Sequence, residues 1–172
     1  MIALWAFASA APSREFLEDN FVVSDRSLKN PEPDDPEYVV RFGQAEIYEL
    51  SSRAEFRDLF AGRFGSVGIC GGYGRFEPEA SLPCHIHRFD ESITIVEGEA
   101  LCLVQGKHYQ LSRYDTAFIP EGRPHRFLNQ SHSPMAMVWV YAGSEPQRTL
   151  VNTACCSGTL TWKGAHFLGT IG

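Results

Sequence analysis

Short runs of β-branched and aromatic residues, each about as long as one strand, dominate the chain from residue 66 onward. Glycine, proline, asparagine or serine separates the runs, so that turn-forming residues recur every eight to twelve positions. This spacing is typical of an antiparallel sandwich or barrel. No strand alternates with a long helix, which argues against a parallel sheet. The pattern therefore predicts an all-β fold, with runs at 66–78, 84–98, 99–106, 107–122, 124–131 and 134–143.

The residues before this region follow a different pattern. Ser13 is a candidate helix cap, and Phe56, Leu59 and Phe60 lie on one face if their segment is helical. A stretch with three prolines and four acids favours a solvated loop. The pattern predicts helices at 13–20 and 51–60, a loop at 30–38, and strands at 37–43 and 45–50.

We expect three regions along the chain. Residues 1–65 form an arm with short helices and added strands that packs on the barrel, and residues 66–145 form the barrel core. Residues 146–172 form a tail with one candidate strand, 159–164. The tail either covers a sheet edge or crosses to a partner subunit, and the sequence leaves both alternatives open.

Composition narrows the class of protein. The 172 residues are 44% hydrophobic and carry a net charge of −6, without any run rich in lysine or arginine. We therefore expect neither nucleic acid nor a membrane as a partner. The apolar start lacks a basic region before it, and no apolar run is long enough to span a bilayer, so a cytoplasmic location is expected. Five cysteines without a CxxC pair indicate free thiols.

Residues 84–91 read CHIHRFDE and contain the first candidate chemistry. In a strand, His85, His87 and Glu91 share a parity and therefore a face. Two imidazoles spaced in this way can converge on one metal ion, and Glu91 can reach it if the strand bends or carries a bulge. The alternative is a set of three polar residues on the solvent face of an edge strand.

A second stretch, residues 120–129, reads PEGRPHRFLN. Pro120 and Gly122 mark a turn that starts a strand, and His125 lies just inside that strand. An antiparallel neighbour would place His125 opposite the HxH pair. Three imidazoles and one carboxylate suit Fe(II), Mn, Ni, Cu(II) or Zn, and an octahedral shell would leave two positions free for a ligand.

These two stretches resemble the two cupin motifs. The first motif contains HxH, three or four residues, Glu, six residues and Gly, which match His85, His87, Glu91 and Gly98. The second motif ends in PxGxxHxxxN, which matches the residues from Pro120 through Gly122 and His125 to Asn129. Glu79 and Tyr114 replace the glycine that opens each motif, which puts the local turn shape in doubt and not the metal ligands.

The resemblance covers about residues 67–142, somewhat under half of the chain. It implies a double-stranded β-helix, or jelly-roll barrel, of the RmlC-like type, with a divalent transition metal near its wide end. Under this interpretation, the metal ligands are His85, His87, Glu91 and His125. It also implies a homodimer, because cupins commonly pair through their sheets.

Several other residues have two interpretations. Tyr73 and Arg75 share one strand face and either line the barrel mouth, with Arg75 binding a substrate carboxylate, or lie on the surface. Tyr141 belongs to an alternating bulky set in 134–143 that is either plain core or the wall of an apolar pocket. Asn129 either orients a ligand or, as we favour, stabilises a turn.

The remaining candidates are expected to be structural. Cys84 has the opposite parity to the ligands and should face away from them, and Cys102 should be core. The histidines outside the motifs should lie at the surface, and apolar side chains with the parity of the ligands should fill the barrel around the ion. The surface group is His108, His132 and His166, and the barrel group is Phe89, Ile93, Ile95 and Phe127.

Two functions remain open at this stage. The favoured function is a metal-dependent enzyme acting on a small organic molecule, as a dioxygenase, isomerase, decarboxylase or lyase. No second carboxylate or lysine is placed as an acid or base, and Tyr73 or Tyr141 are the candidate proton donors. The alternative is a non-catalytic cupin that binds or senses a small acid or sugar through its metal. The fold alone does not choose between them.

Overall fold

The computed structural model describes residues 3–14 and 38–152, together with the backbone of 167–171. These residues contain no α-helix, and only two single 3₁₀ turns interrupt the strands and loops, at Phe42–Gln44 and Gly62–Phe64. The strands are β1 (Tyr48–Ser51), β2 (Ala54–Phe60), β3 (Cys70–Phe76), β4 (His85–Ile86), β5 (Glu91–Glu97), β6 (Ala100–Val104), β7 (Lys107–Leu111), β8 (Thr116–Ile119), β9 (His125–Leu128), β10 (Met135–Tyr141), β11 (Arg148–Val151) and β12 (Phe167–Ile171).

The strands form two six-stranded antiparallel sheets, which confirms the predicted all-β class. One sheet has the order β1-β2-β3-β10-β5-β8, and the other has the order β12-β11-β4-β9-β6-β7. Consecutive strands frequently lie in different sheets, so the chain crosses between the sheets several times. The crossing that matters most runs from β4 in the second sheet to β5 in the first, because it carries the candidate ligands.

The predicted helix at 51–60 is wrong, since residues 54–60 form β2. Ala54, Phe56 and Asp58 are buried, and Glu55 between them is exposed, which is the alternation of a half-covered strand. The hairpin that joins β1 to β2 turns at Arg53, whose φ is 65°. Pairing with β3 along the whole strand outweighs the helical spacing of the aromatic residues, because burial against a sheet decides short ambiguous segments.

The other predictions for the arm and the tail have mixed outcomes. Residues 38–41 are not in a strand, so the strand predicted at 37–43 is wrong over its described part, whereas the one at 45–50 is confirmed from Tyr48 onward. Almost all of the helix predicted at 13–20 and the loop predicted at 30–38 lies outside the described residues, as does the strand predicted at 159–164. The tail does contribute β12, which pairs with β11 and forms the edge of the second sheet.

The barrel core lies between the sheets and is built around β10. Met135, Met137, Trp139 and Tyr141 alternate along its inner face, and each is at most 2% exposed. Opposite Trp139 on β3 lies Gly72, where a Cβ atom would stand 2.5 Å from the indole ring. A glycine at this position lets the sheet backbone approach the largest core side chain closely.

The described part of the chain contains no helix with the length and apolar character needed to span a bilayer.

Candidate metal centre

The predicted ligands come from three strands in two sheets. His85 on β4 pairs directly with His125 on β9, as cross-strand neighbours in the second sheet. His87 follows β4 immediately, and Glu91 begins β5 in the opposite sheet. The chain reaches Glu91 by crossing from one sheet to the other, and not by the bend or bulge within one strand that the sequence suggested. The four side chains consequently face each other across the barrel interior.

These four side chains form a buried cluster. His85, His87, Glu91 and His125 each expose at most 3% of their surface, and one ligand atom from each lies within 4.8 Å of all the others. The carboxylate Oε2 of Glu91 lies 2.7 Å from Nε2 of His125 and 3.4 Å from Nε2 of His87. Donor atoms at these separations surround a space in which a single ion could contact all of them.

Backbone carbonyls fix the orientation of all three imidazoles. Nδ1 of His85 lies 2.8 Å from the carbonyl oxygen of Pro83, Nδ1 of His87 lies 2.6 Å from that of Gln147, and Nδ1 of His125 lies 2.8 Å from that of Arg123. A carbonyl can only accept, so each Nδ1 carries the proton and donates it. Each neutral ring therefore presents an unprotonated Nε2, and hydrogen bonds of this kind commonly support metal-binding histidines.

The charge states also suit a cation. Burial holds the pKa of His85 well below its ordinary value of 6.5, and burial likewise lowers the pKa of His87. Burial alone would raise the pKa of Glu91, but His87 and His125 outweigh it, and the pKa lies well below its ordinary value of 4.5. Burial thus favours the neutral imidazole at His85 and His87, and the neighbouring imidazoles favour the ionised carboxylate at Glu91, which are the protonation states that a metal requires.

The cluster leaves polar atoms that the protein itself does not satisfy. Nε2 of His87, Oε2 of Glu91 and Nε2 of His125 are buried and have no hydrogen-bond partner in the part of the chain that the structure describes. When the imidazoles are neutral, with their protons on Nδ1, the 2.7 Å contact between Glu91 and His125 brings two lone pairs together. Such an arrangement is costly unless a cation lies between the atoms. The residues present therefore fit a divalent transition metal.

Aromatic rings enclose the cluster on the side of β10. The ring of Tyr141 lies 4.5 Å from that of His87, Phe89 stacks on the same imidazole at 5.2 Å, and the two aromatic rings contact each other at 5.1 Å. Phe127 contacts His125 edge-on at 6.3 Å. Ile93 and Ile95 are fully buried behind these rings. The expectation that residues of ligand parity fill the barrel is confirmed for this set.

The structure places the other candidates away from the cluster. Tyr73 and Arg75 point to the outer face of β3, where Arg75 pairs with Glu77 at 3.3 Å and with Glu97 at 3.1 Å. Neither side chain reaches the barrel interior. His108 and His132 are exposed, as expected, and His166 lies outside the described residues.

Asn129 has the structural role that we favoured. Its side-chain nitrogen donates to the carbonyl oxygens of Phe76 and Ser133, and its oxygen accepts from Ser131. It is 1% exposed and ties the end of β9 to the loop before β10. All of its hydrogen-bonding capacity is used within the protein, so none remains for a ligand.

The cysteines require a correction. Cys70 and Cys102 are free and buried, and burial raises the pKa of each thiol to about 12. Cys84 is disulfide-bonded, so the expectation that every cysteine is a thiol is wrong, and its partner lies outside the described residues. The amide of Val151 donates to the carbonyl oxygen of Cys84, which brings the chain leaving β11 past this cysteine. Val151 and Cys84 are far apart in the sequence, so the sequence alone did not predict that they are neighbours.

Arg148 is the functional candidate that sequence reasoning missed. It begins β11, is 4% exposed, and donates from Nη2 to the hydroxyl of Tyr141 at 3.1 Å. The only available signal was an arginine at the head of the four-residue run RTLV in a region interpreted as tail. A strand of this length is too short to be recognised by alternation alone.

A comparison with protein-family models matches residues 72–141 to the cupin domain. Residues 72–141 form a cupin domain. The match includes both motif histidine groups and ends at Tyr141, so it spans the candidate cluster and β10. The jelly-roll architecture expected from the motifs is confirmed.

Comparisons with individual proteins agree on the fold and diverge in activity. The chain is 30% identical over 113 residues to quercetin 2,3-dioxygenase of Bacillus subtilis, covering 62% of this chain and 32% of that protein. It is 30% identical over 89 residues to the tetracenomycin polyketide synthase protein TcmJ of Streptomyces glaucescens, covering 49% and 60%. The structure of the polyketide cyclase RemF from Streptomyces resistomycificus superimposes with a TM-score of 0.56 at 20% identity, covering 64% of this chain and 82% of that one.

The chain thus spans about a third and about three fifths of the two curated relatives. A structural likeness at 20% identity supports the architecture and not a shared activity. Together these comparisons support a cupin with a buried cluster of three histidines and one glutamate.

Proposed function

We propose that this chain is a metal-dependent enzyme that acts on a small organic molecule, with a divalent transition metal held by His85, His87, Glu91 and His125. One observation carries the proposal: three imidazole nitrogens and one carboxylate oxygen converge within 4.8 Å of each other in a buried space. Four ligands in tetrahedral geometry would close the coordination shell, as in a structural site. An octahedral ion with the same four ligands retains two positions for a substrate.

A metal in this site would supply Lewis acidity or, if it is iron, oxygen activation. The protein contributes a dry environment, since Phe89, Phe127 and Tyr141 pack against the imidazoles. Burial and then the charge of Glu91 raise the pKa of Tyr141 well above 10, which keeps its phenol protonated. Its oxygen accepts from Arg148, so its hydrogen is free to point towards a substrate. We assign Tyr141 as the candidate proton donor.

A cavity lies beside the strands that carry two of the candidate ligands. Val104 is the strand neighbour of His125, and Ile119 is the strand neighbour of Glu91. Both residues line a cavity of about 370 Å³ between the edges β7 and β8. A cavity of this size suits a small organic substrate. The quercetin 2,3-dioxygenase relative favours dioxygenase chemistry over the remaining classes.

Metal analysis tests the proposal. We expect purified protein to contain close to one transition-metal ion per chain, and His85→Ala and His125→Ala to lose most of it. His108→Ala is the matched control, because His108 is an exposed histidine on β7. Unchanged metal content in both ligand variants would refute the site.

Oxygen uptake then separates the reaction classes. Protein with iron that consumes O₂ only in the presence of a phenol, a diketone or a hydroxy acid supports a dioxygenase. Turnover without O₂ consumption by zinc or nickel protein supports an isomerase, decarboxylase, lyase or cyclase. Bound metal without turnover of any of these compounds supports the non-catalytic binding protein instead.

A further inference from the structure

Arg148 points into the barrel towards the candidate metal centre. β11 pairs with β4 so that Leu150 lies opposite His85, and Arg148 lies two residues before Leu150 on the same face. Its side chain is almost completely buried, with 4% of the residue exposed. The guanidinium is therefore an internal group of the barrel and not a surface charge.

The contacts of this guanidinium are few for a buried cation. Nη2 donates to the hydroxyl of Tyr141, and the group lies 5.8 Å from the ring centroid of Phe56. Nε and Nη1 are buried without any hydrogen-bond partner, and no carboxylate in the described ranges lies within ion-pair distance. Nε and Nη1 carry three of the five N–H donors of an arginine, so these three have no acceptor among the described residues.

Two other arginines, both more exposed than Arg148, are paired with carboxylates. Arg63 forms an ion pair with the buried carboxylate of Asp58, and Arg75 pairs with two glutamates on the outer face. Asp58 is not the counter-ion of Arg148, because its carboxylate oxygens accept hydrogen bonds from Tyr48 and Arg63. A buried charge without a counter-charge is strongly unfavourable, and such groups are retained at sites that bind a ligand of opposite charge.

The unpaired guanidinium is a near neighbour of the metal ligands. Tyr141 connects the two, since its ring packs on His87 at 4.5 Å and its hydroxyl accepts from Arg148 at 3.1 Å. One phenol therefore separates the cation from the cluster. A small molecule could contact the guanidinium at one end and the cluster at the other.

We propose that Arg148 is a carboxylate-binding residue inside the barrel and that the substrate is a small organic acid whose carboxylate pairs with this guanidinium. The second part rests on the proposed function, because it takes the other end of the acid to lie at the metal. The planar donor group matches a carboxylate in two parallel hydrogen bonds. The acid would thus supply the counter-charge that the described residues do not provide.

Acetate and acetamide are suitable probes, because they have nearly the same size and differ in charge. We expect calorimetric titration of the full-length, metal-containing protein to show binding of acetate and not of acetamide. Arg148→Met retains much of the side-chain volume and removes the charge, and should weaken acetate binding roughly ten- to hundredfold. Arg148→Lys should bind acetate with intermediate affinity, because it keeps the charge without the planar donor group.

Arg75→Met is the matched control, since it removes an arginine from the outer face and should leave acetate binding unchanged. Metal content is measured on the same samples. If Arg148→Met keeps its metal and loses acetate, the proposal is supported, and acetate that binds by metal coordination alone would persist in this variant. If the wild-type protein contains no metal but acetate binding still depends on Arg148, the proposed function fails and the carboxylate site stands.

Thermal unfolding without acetate distinguishes a binding role from a structural one. Removing an unpaired buried charge should leave the Tm of Arg148→Met equal to or above that of the wild type. Equal acetate affinity in Arg148→Met and wild type would overturn the proposal. Loss of metal from Arg148→Met would also overturn it, because Arg148 would then support the metal ligands and not the substrate.

Discussion

Replacing Glu79 by glycine should stabilise the protein. Glu79 occupies the place of the glycine that opens the first cupin motif, and its φ is 68°, in the left-handed region. Its amide donates to the carbonyl oxygen of Asn129 at 2.9 Å, which holds the turn in this conformation. A residue with a Cβ atom loses about 1–2 kcal/mol there relative to its preferred backbone conformation. The residue type at position 79 therefore differs from the motif, but the backbone keeps the left-handed conformation that suits the motif's glycine.

The opposing contributions are smaller. The Glu79 side chain is 87% exposed, and its ion pair with Arg53, at 3.9 Å, contributes at most about 0.5 kcal/mol. Glycine adds about 0.5–1 kcal/mol of backbone entropy to the unfolded chain. The balance is a stabilisation of about 0.5 kcal/mol, equivalent to an increase in Tm of roughly 1–2 °C for a chain of this size.

Urea denaturation and thermal unfolding of Glu79→Gly measure this difference. Glu79→Ala is the control, because it removes the same ion pair but keeps the Cβ atom and hence the strain. We expect Glu79→Gly to be more stable than Glu79→Ala by about 1 kcal/mol. If the two variants are equally stable, the left-handed conformation costs nothing and the reasoning is refuted. Metal content should be identical in both, since the turn lies outside the cluster.

Three further predictions concern the cluster and its supports. In metal-free protein, the lowered pKa values of His85 and His87 mean that the unfolded chain binds more protons below pH 6.5, so the free energy of unfolding should decrease as pH falls from about 6.5 through the folded pKa values; urea titrations that are flat between pH 8 and 5 would contradict this. Gly98→Ala should destabilise by about 1–3 kcal/mol, since φ is +68° and a Cβ would lie 2.5 Å from the carbonyl oxygen of Pro134; Gly43→Ala, which has nothing within 4 Å, is its control in the same denaturation assay. Asn129→Ala should lose about 2–3 kcal/mol by leaving the carbonyl oxygens of Phe76 and Ser133 unpaired, with metal content retained; a loss of metal without a loss of stability would show a ligand-orienting role instead.

The barrel could be predicted because its strands repeat a simple pattern. Alternation and regularly spaced turns identify half-covered antiparallel strands without knowledge of their partners. The ligand set could be predicted for a related reason, since strand pairing brings His85 and His125 together wherever both strands form. The expected path to Glu91 was nevertheless wrong, because the residue lies in the other sheet. Strand parity therefore identified the correct ligands, although the path that it implied for Glu91 was incorrect.

The arm could not be predicted in the same way. In 54–60, Phe56, Leu59 and Phe60 fit the spacing of a helix, and Ala54, Phe56 and Asp58 fit that of a strand. Whether this segment forms a helix or a strand depends on whether β3 has an edge available for pairing. That availability is a property of the complete sheet. A register shift between Asp58 and Phe60 further obscures the alternation. Short segments of this kind are decided by tertiary pairing and not by local preference.

The environments of Arg148 and Cys84 could not be predicted for one shared reason. The sequence does not show where the chain returns after β10. β11 lies beside β4, which places Arg148 inside the barrel and Val151 next to Cys84. Neither residue has a local pattern that distinguishes it from a surface arginine or a buried thiol. Their significance follows only from what surrounds them, and in the case of Arg148 from the absence of a counter-charge among the described residues.

Two of the unsatisfied groups among the described residues of the barrel have opposite requirements. The cluster of His87, Glu91 and His125 presents lone pairs and a negative charge that need a cation, whereas the guanidinium of Arg148 needs an anion. Their direct pairing would satisfy both, but Tyr141 lies between them and accepts from Arg148. Keeping opposite charges apart in a region of low dielectric is unfavourable for the empty protein. The arrangement becomes favourable when a metal and an organic acid are both bound, which is why we expect the two sites to act on the same molecule.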